Sequence, residues 1–443
     1  MMHAFNLETL IRQWRFFALC GLLFFSAASA TFGASAAPAI GSEKEFWVWD
    51  LNVMPPAFRR AKATLRASGD KSLIYVEDSF WQKQIKPDYL SRLKTLLEVA
   101  SPQGALMPGL GVIPVEENYF GPLPKRESGE NRLVVLFADL GKYKDHEFDG
   151  FFNSYDQLTE AAAQKEEQHS NEANIIYLNG LRRDENYTNG VISHELQHLL
   201  SFDLSGESSK DNWLSETLAE GAMLATGHFT DQPHVNQFAK NTGGSPLVSS
   251  TYVSYGPQLL FASFLMDFAT QNALNLSELS HSKLKGRDAV EQLFQRRLGN
   301  PQTFDAIYSG FVSYVFNANL YAWSLPIGWD RQRTSGISVP EIASYKTFSG
   351  TPGAIDGWVY PYAFVAIDLV TELSDTAKVT VEAIRPIAGD ENSKAGSCAF
   401  TASVLWKPVN KKRIAIYGVG CEPKSKADML HFRLIIVDQA SPK

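Results

Sequence analysis

Two histidines four residues apart, with an acid directly after the first, stand in Ser193-His194-Glu195-Leu196-Gln197-His198-Leu199. On an α-helix, positions i and i+4 share a face, so His194 and His198 can aim ring nitrogens at one ion while Glu195 lies beside its open side. This is the H-E-x-x-H pattern of zinc hydrolases. A carboxylate with a reference pKa of about 4.3 cannot usefully take a proton from bulk water at about 15.7. Beside a divalent ion that water falls to roughly 7, which saves on the order of 12 kcal/mol of proton-transfer cost. Glu195 is thus the expected general base: it takes the proton, hydroxide attacks a peptide carbonyl, and Glu195 hands the proton to the leaving amine. The same spacing on an exposed helix would carry only solvated histidines, so the choice turns on whether the next segment of chain supplies a further ligand.

A catalytic zinc usually takes three protein ligands and keeps a fourth position for water. Downstream, the run Asp211 to Met223 reads as a second helix. Asp211 or Asn212 can cap it, Trp213, Leu214, Leu218 and Met223 are apolar, and Gly227 can end it. Glu216 and Glu220 are again i and i+4. One can bind the ion directly while the other accepts a hydrogen bond from a ligating histidine. For a donor to the tetrahedral oxyanion, Tyr255 is the first choice, ahead of a helix in Thr251-Tyr252-Val253-Ser254-Tyr255-Gly256-Pro257, with His228 or His234 as runner-up.

The H-E-L-Q-H helix followed by W-L-S-E-T-L-A-E resembles the gluzincin zinc metallopeptidases, whose third ligand is a glutamate on the next helix. That resemblance implies His194, His198 and Glu216 as metal ligands, Zn2+ as cofactor, Glu195 as base, and Glu220 as the acid bonded to the first histidine. Phe46-Trp47-Val48-Trp49-Asp50, Ala61 to Ser68, Ile74 to Asp78, and Asp149-Gly150-Phe151-Phe152 leading to Ile175-Ile176-Tyr177-Leu178 are similar to secreted peptidases of the hyicolysin family. Ser215-Glu216-Thr217 departs from the N-E-G of those relatives. The family also implies a tyrosine in a Y-x-x-G context, which supports Tyr255, and a sheet-edge strand at Ile175–Leu178 that pairs with an extended substrate. An ordinary buried strand is the alternative at that place.

Arg12 and Arg15 precede an apolar run from Phe16 to Phe25, and Ala28-Ser29-Ala30 and Ala34-Ser35-Ala36 offer cleavage sites, the layout of a secretory signal peptide over 1–36. The run is short of the roughly 20 apolar residues of a membrane anchor. The expected location is secreted or periplasmic, without stable membrane insertion after signal cleavage. Cys398 and Cys421 remain outside the leader, an even count that predicts a disulfide in an oxidising compartment, with two buried free thiols as the alternative. A net charge of -7, without a basic stripe, argues against nucleic acid as a partner. Lys411-Lys412-Arg413 reads as a solvated hairpin turn.

Period-2 alternation over Ala61–Ser68, with strands at Leu73–Val76 and Leu133–Phe137 and a helix after Pro87, predicts a mixed α/β catalytic lobe over 43–210. Helical spacing dominates 211–335, and short β-like runs with turn residues between them fill 338–443. The expected fold class is α+β: a two-lobed thermolysin-like zincin region, with the metal where the lobes meet, followed by a small β-sandwich. The expected function is a secreted zinc endopeptidase acting on protein or peptide substrates. An aminopeptidase would need an upstream acidic anchor, and no G-x-M-E-N motif is present. The competing readings are a non-catalytic zinc-containing surface adhesion or binding protein and a zinc-independent binding module centred on the β segment.

Overall fold

The structure is a computed structural model; it describes residues 38–143, 146–181, 184–202, 212–228, 232–249, 253–271, 276–316, 341–348, 353–370, 377–384, 399–407, 410–419 and 429–438. The leader 1–36, Asp211, Tyr252, Cys398 and Cys421 lie outside the described residues. The protein is mixed α+β and forms two compact units, the first reaching Leu204 with Thr226–His228, the second made of Ser205–Ala225 and Phe229–Lys443. Among the described residues, no helix is long and apolar enough to cross a membrane.

The first unit holds β1 (Glu43–Asp50), β2 (Ala57–Ser68), β3 (Ser72–Glu77), helices α1 (Pro87–Glu98) and α2 (Val112–Phe120), β4 (Leu133–Ala138), β5 (Gly150–Phe152), β6 (Ile175–Asn179) and helix α3 (Glu185–Leu200). The strands make one sheet in the order β1-β2-β3-β4-β6-β5, parallel only across β3, β4 and β6. Ala61, Ala63 and Leu65 point inward as their alternation predicts, and a register shift between Leu65 and Ala67 ends that pattern. Every residue of β4 and β6 is buried, as expected of strands covered on both faces. Leu73, Tyr75, Leu136, Ile175 and Tyr177 share one core with Phe46, Val48 and Leu65. On the other face Tyr89 of α1 meets Phe137 edge-on, and α3 packs on β5 and β6.

The expectation that Ile175–Leu178 is an edge strand is corrected by this order. β6 pairs with β4 on one side, and Ile176–Leu178 pair antiparallel with β5 on the other, so its backbone groups are already used. The alternative of a buried strand holds, and β5 is the edge.

A buried polar knot ties the segment after β5 to this sheet. Tyr177 Oη donates to Asp156 Oδ2 at 2.6 Å, the Asn171 amide donates to Asp156 Oδ1 at 2.6 Å, and Asn171 exchanges bonds with the Trp47 backbone at 2.9 Å each way. Burial pushes the Asp156 carboxyl up to about 7, against the hydrogen bonds from Tyr177 and Asn171 that lower it. The sign comes from proton linkage: the folded chain holds this proton more tightly than the unfolded one, so the contribution is fully stabilising below about pH 4 and is lost as pH rises through 7. In urea unfolding, Asp156→Asn should therefore gain on the parent as pH rises from 5 to 8, by roughly 2–4 kcal/mol for a shift of about three units. Parallel curves for the two proteins would contradict this.

The second unit holds helices α4 (Asn212–Thr226, its last residue in the first unit), α5 (Gln232–Lys240), α6 (Gly256–Gln271), α7 (Gly286–Leu298) and α8 (Phe304–Val315). Its strands are β7 (Ser344–Phe348), β8 (Gly353–Val359), β9 (Phe364–Leu369), β10 (Ala377–Ile384), β11 (Ala399–Lys407), β12 (Asn410–Val419) and β13 (Leu430–Asp438). They form a sheet β8-β13-β10 and a sheet β11-β12-β9-β7, which share one core including Val359, Phe432 and Leu434 from the first and Val365, Ile367, Ile414 and Ile416 from the second. The helices and these sheets belong to the same unit. Tyr362 Oη accepts from Arg287 Nη1 at 2.7 Å and donates to Asp305 Oδ1 at 2.8 Å, and Tyr308 meets Tyr362 and Tyr417 edge-on.

The basic run after β11 is not wholly a solvated turn. β12 begins at Asn410, and Arg413 lies inside it, clamping Asp368 of β9 with Nε and Nη2 at 2.5 and 3.0 Å. A bidentate guanidinium–carboxylate pair of this kind is geometrically specific.

Candidate metal centre

Helix α3 starts where the sequence signals a start: Asp184 caps it by accepting from the Tyr187 amide at 3.1 Å, and acidic Glu185 lies in the first turn. Its buried side carries Ile192, Leu196, Leu199 and Leu200, which leaves His194, Glu195 and His198 half-buried. The two imidazole centroids are 4.9 Å apart with the rings nearly perpendicular. Lateral bonds steady the helix: Ser193 Oγ to Thr226 Oγ1 at 2.8 Å, and Gln197 Nε2 to Ser201 Oγ at 2.6 Å.

Helix α4 is buried along nearly its whole length, with Trp213, Leu214, Leu218, Ala222 and Met223 in the core. It ends at Gly227, whose φ of +73° is the left-handed value that a glycine terminator supplies; a Cβ there would come 2.6 Å from the Ala105 amide nitrogen. Glu216 and Glu220 are buried as well. Thr217, the residue that departs from the family's glycine, turns its hydroxyl back to donate to the Trp213 carbonyl at 2.7 Å.

His194, His198 and Glu216 each offer a ligand atom, and the three atoms all lie within 4.8 Å of one another. A tetrahedral zinc with bonds of about 2.0–2.2 Å needs ligand atoms about 3.4 Å apart, so small side-chain rotations close the set. Two imidazole nitrogens and one carboxylate oxygen also match the donor set of a catalytic zinc, which leaves one coordination position for reactants. The residues present therefore fit the ion.

Tyr255 opens α6, its carbonyl accepting from the Leu259 amide at 2.8 Å. Its φ of +60° is unusual for a residue with a side chain, a strain of order 1–2 kcal/mol of the sort that gathers at functional sites. Its ring stacks on His234 at 5.5 Å, and a Cβ on Gly256 would come 2.6 Å from the His234 carbonyl, so α5 and α6 meet closely here. The structure thus brings two of the three oxyanion candidates together. His228, in the first unit, is buried with neither ring nitrogen hydrogen-bonded, and burial lowers its pKa to about 4, so its imidazole is neutral at pH 7. None of the three is among the triad's ligand atoms.

One buried acid goes unnoticed in the sequence. Glu116 of α2 is fully buried, and burial pushes its carboxyl well above the usual range while Ser193 and His194 draw it down. The only trace of it in the sequence is an acid on the apolar side of Val112-Ile113-Pro114-Val115-Glu116, without a basic residue one turn away.

Compared with protein-family models and with curated proteins, the chain matches none.

Proposed function

We propose that the protein is a secreted zinc endopeptidase of the gluzincin type, with the thermolysin-like two-lobed arrangement that the resemblance implies. The observation that carries this reading is the convergence of His194, His198 and Glu216 within 4.8 Å, next to Glu195 in sequence. When bound, zinc would polarise the scissile carbonyl and acidify the attacking water. Glu195, one step round α3 from His194, takes the water's proton and delivers it to the leaving amine. Glu220 orients a ligating histidine. Tyr255, held in its left-handed turn and backed by His234, donates to the developing oxyanion. An extended substrate adds to the open side of β5, since β6 is paired on both sides.

The deciding experiment is casein digestion by the purified full chain. Proteolysis that 1,10-phenanthroline abolishes and added zinc restores is expected. Zinc uptake without any cleavage would favour the adhesion or binding reading, and digestion indifferent to the chelator would remove the metal from the chemistry.

A further inference from the structure

Of the five buried positions on α2, four are apolar, namely Val112, Ile113, Val115 and Phe120, and the fifth is Glu116. Its side chain is wholly removed from solvent, and neither carboxyl oxygen has a hydrogen-bond partner. Helix α2 packs on α3, and the groups acting on Glu116 are Ser193 and His194 of that helix, with no lysine or arginine among them. The Ser193 hydroxyl is engaged with Thr226 Oγ1, which leaves His194 as the polar group this acid addresses.

Burying a carboxyl without a partner is expensive, and such a group is kept where it acts on a neighbour. A histidine that ligates a metal usually gives its second ring N–H to a carboxylate, which fixes the tautomer and raises the ligand's basicity. We propose that Glu116 is a positioning residue for His194: from α2 it holds the imidazole in the orientation and tautomer that present a nitrogen to a divalent cation shared with His198 and Glu216. The inference rests on the metal reading above and adds to it an acid from the helix ahead of the motif, where the resemblance supplies only Glu220 from the helix behind.

The test measures zinc affinity by chelator competition, together with the His194 imidazole ¹⁵N signals, in the full chain. Glu116→Gln keeps the volume and removes the acid; Val115→Ala, an equally buried neighbour, reports what loosening α2 does by itself. Glu116→Gln should weaken zinc binding about 10–100-fold and shift the His194 signals toward mixed tautomers. Val115→Ala should leave both in place, and Glu116→Asp should recover part of the affinity. Unchanged affinity and unchanged His194 signals in Glu116→Gln overturn the proposal while the metal reading stands. Should the parent chain take up no zinc, the metal reading falls, and the imidazole signals in the chelator-treated chain decide whether Glu116 governs His194. If Glu116→Gln fails to fold, Glu116→Asp carries the same two measurements, and parent-like values for both overturn the proposal.

Discussion

Replacing Glu195 by glutamine should leave zinc bound at one equivalent while peptide hydrolysis falls by about 10²–10⁴-fold, the range a positioned general base contributes. The argument is geometric. His194 and His198 are the residues of α3 that join Glu216 in the triad, and Glu195, between them in sequence, is not one of its ligands. Glutamine keeps the size and hydrogen-bonding reach of the side chain but cannot accept the water's proton. Metal content by mass spectrometry and cleavage of a quenched peptide separate the two roles. A variant with normal zinc and near-normal turnover would show that Glu195 is not the base, and one that has lost its zinc would make it part of the metal's support.

Glu216→Ala should lower zinc affinity more than Glu220→Ala. The two acids are a helical turn apart on α4 and both buried, so neither composition nor burial distinguishes them. The triad does: Glu216 is in it and Glu220 is not. Losing an acid that only orients a ligand costs about 10–100-fold in metal affinity, and losing a ligand should exceed that. Chelator competition on both variants settles the order. Should Glu220→Ala be the weaker binder, the ligand would be Glu220 and α4 would present its other turn to the ion.

Much of the local structure was legible because helices and strands write their periods into adjacent residues. Pro87 at the start of α1, the Asp184 cap and the Gly227 stop are each a local backbone requirement met by a nearby residue type. The metal set was legible for the same reason, since a helix brings i and i+4 together whatever surrounds it. What a strand pairs with is another matter. The apolar run Ile175–Leu178 reads the same at an edge or in the middle of a sheet, and only the arrival of β5 beside β6 made it internal. The character of Arg413 turned on Asp368, 45 residues away on β9.

The sequence by itself determined which side chains can share an ion, because that depends on the pitch of one helix and on an acid in the next one. Tertiary structure alone decided which polar groups are buried against which partners: Glu116 toward His194, Asp156 under Tyr177, and Tyr255 against His234. The physical reason is range. Backbone periodicity acts over one or two turns, whereas desolvation and the pairing that offsets it depend on segments that meet only when the whole chain has folded.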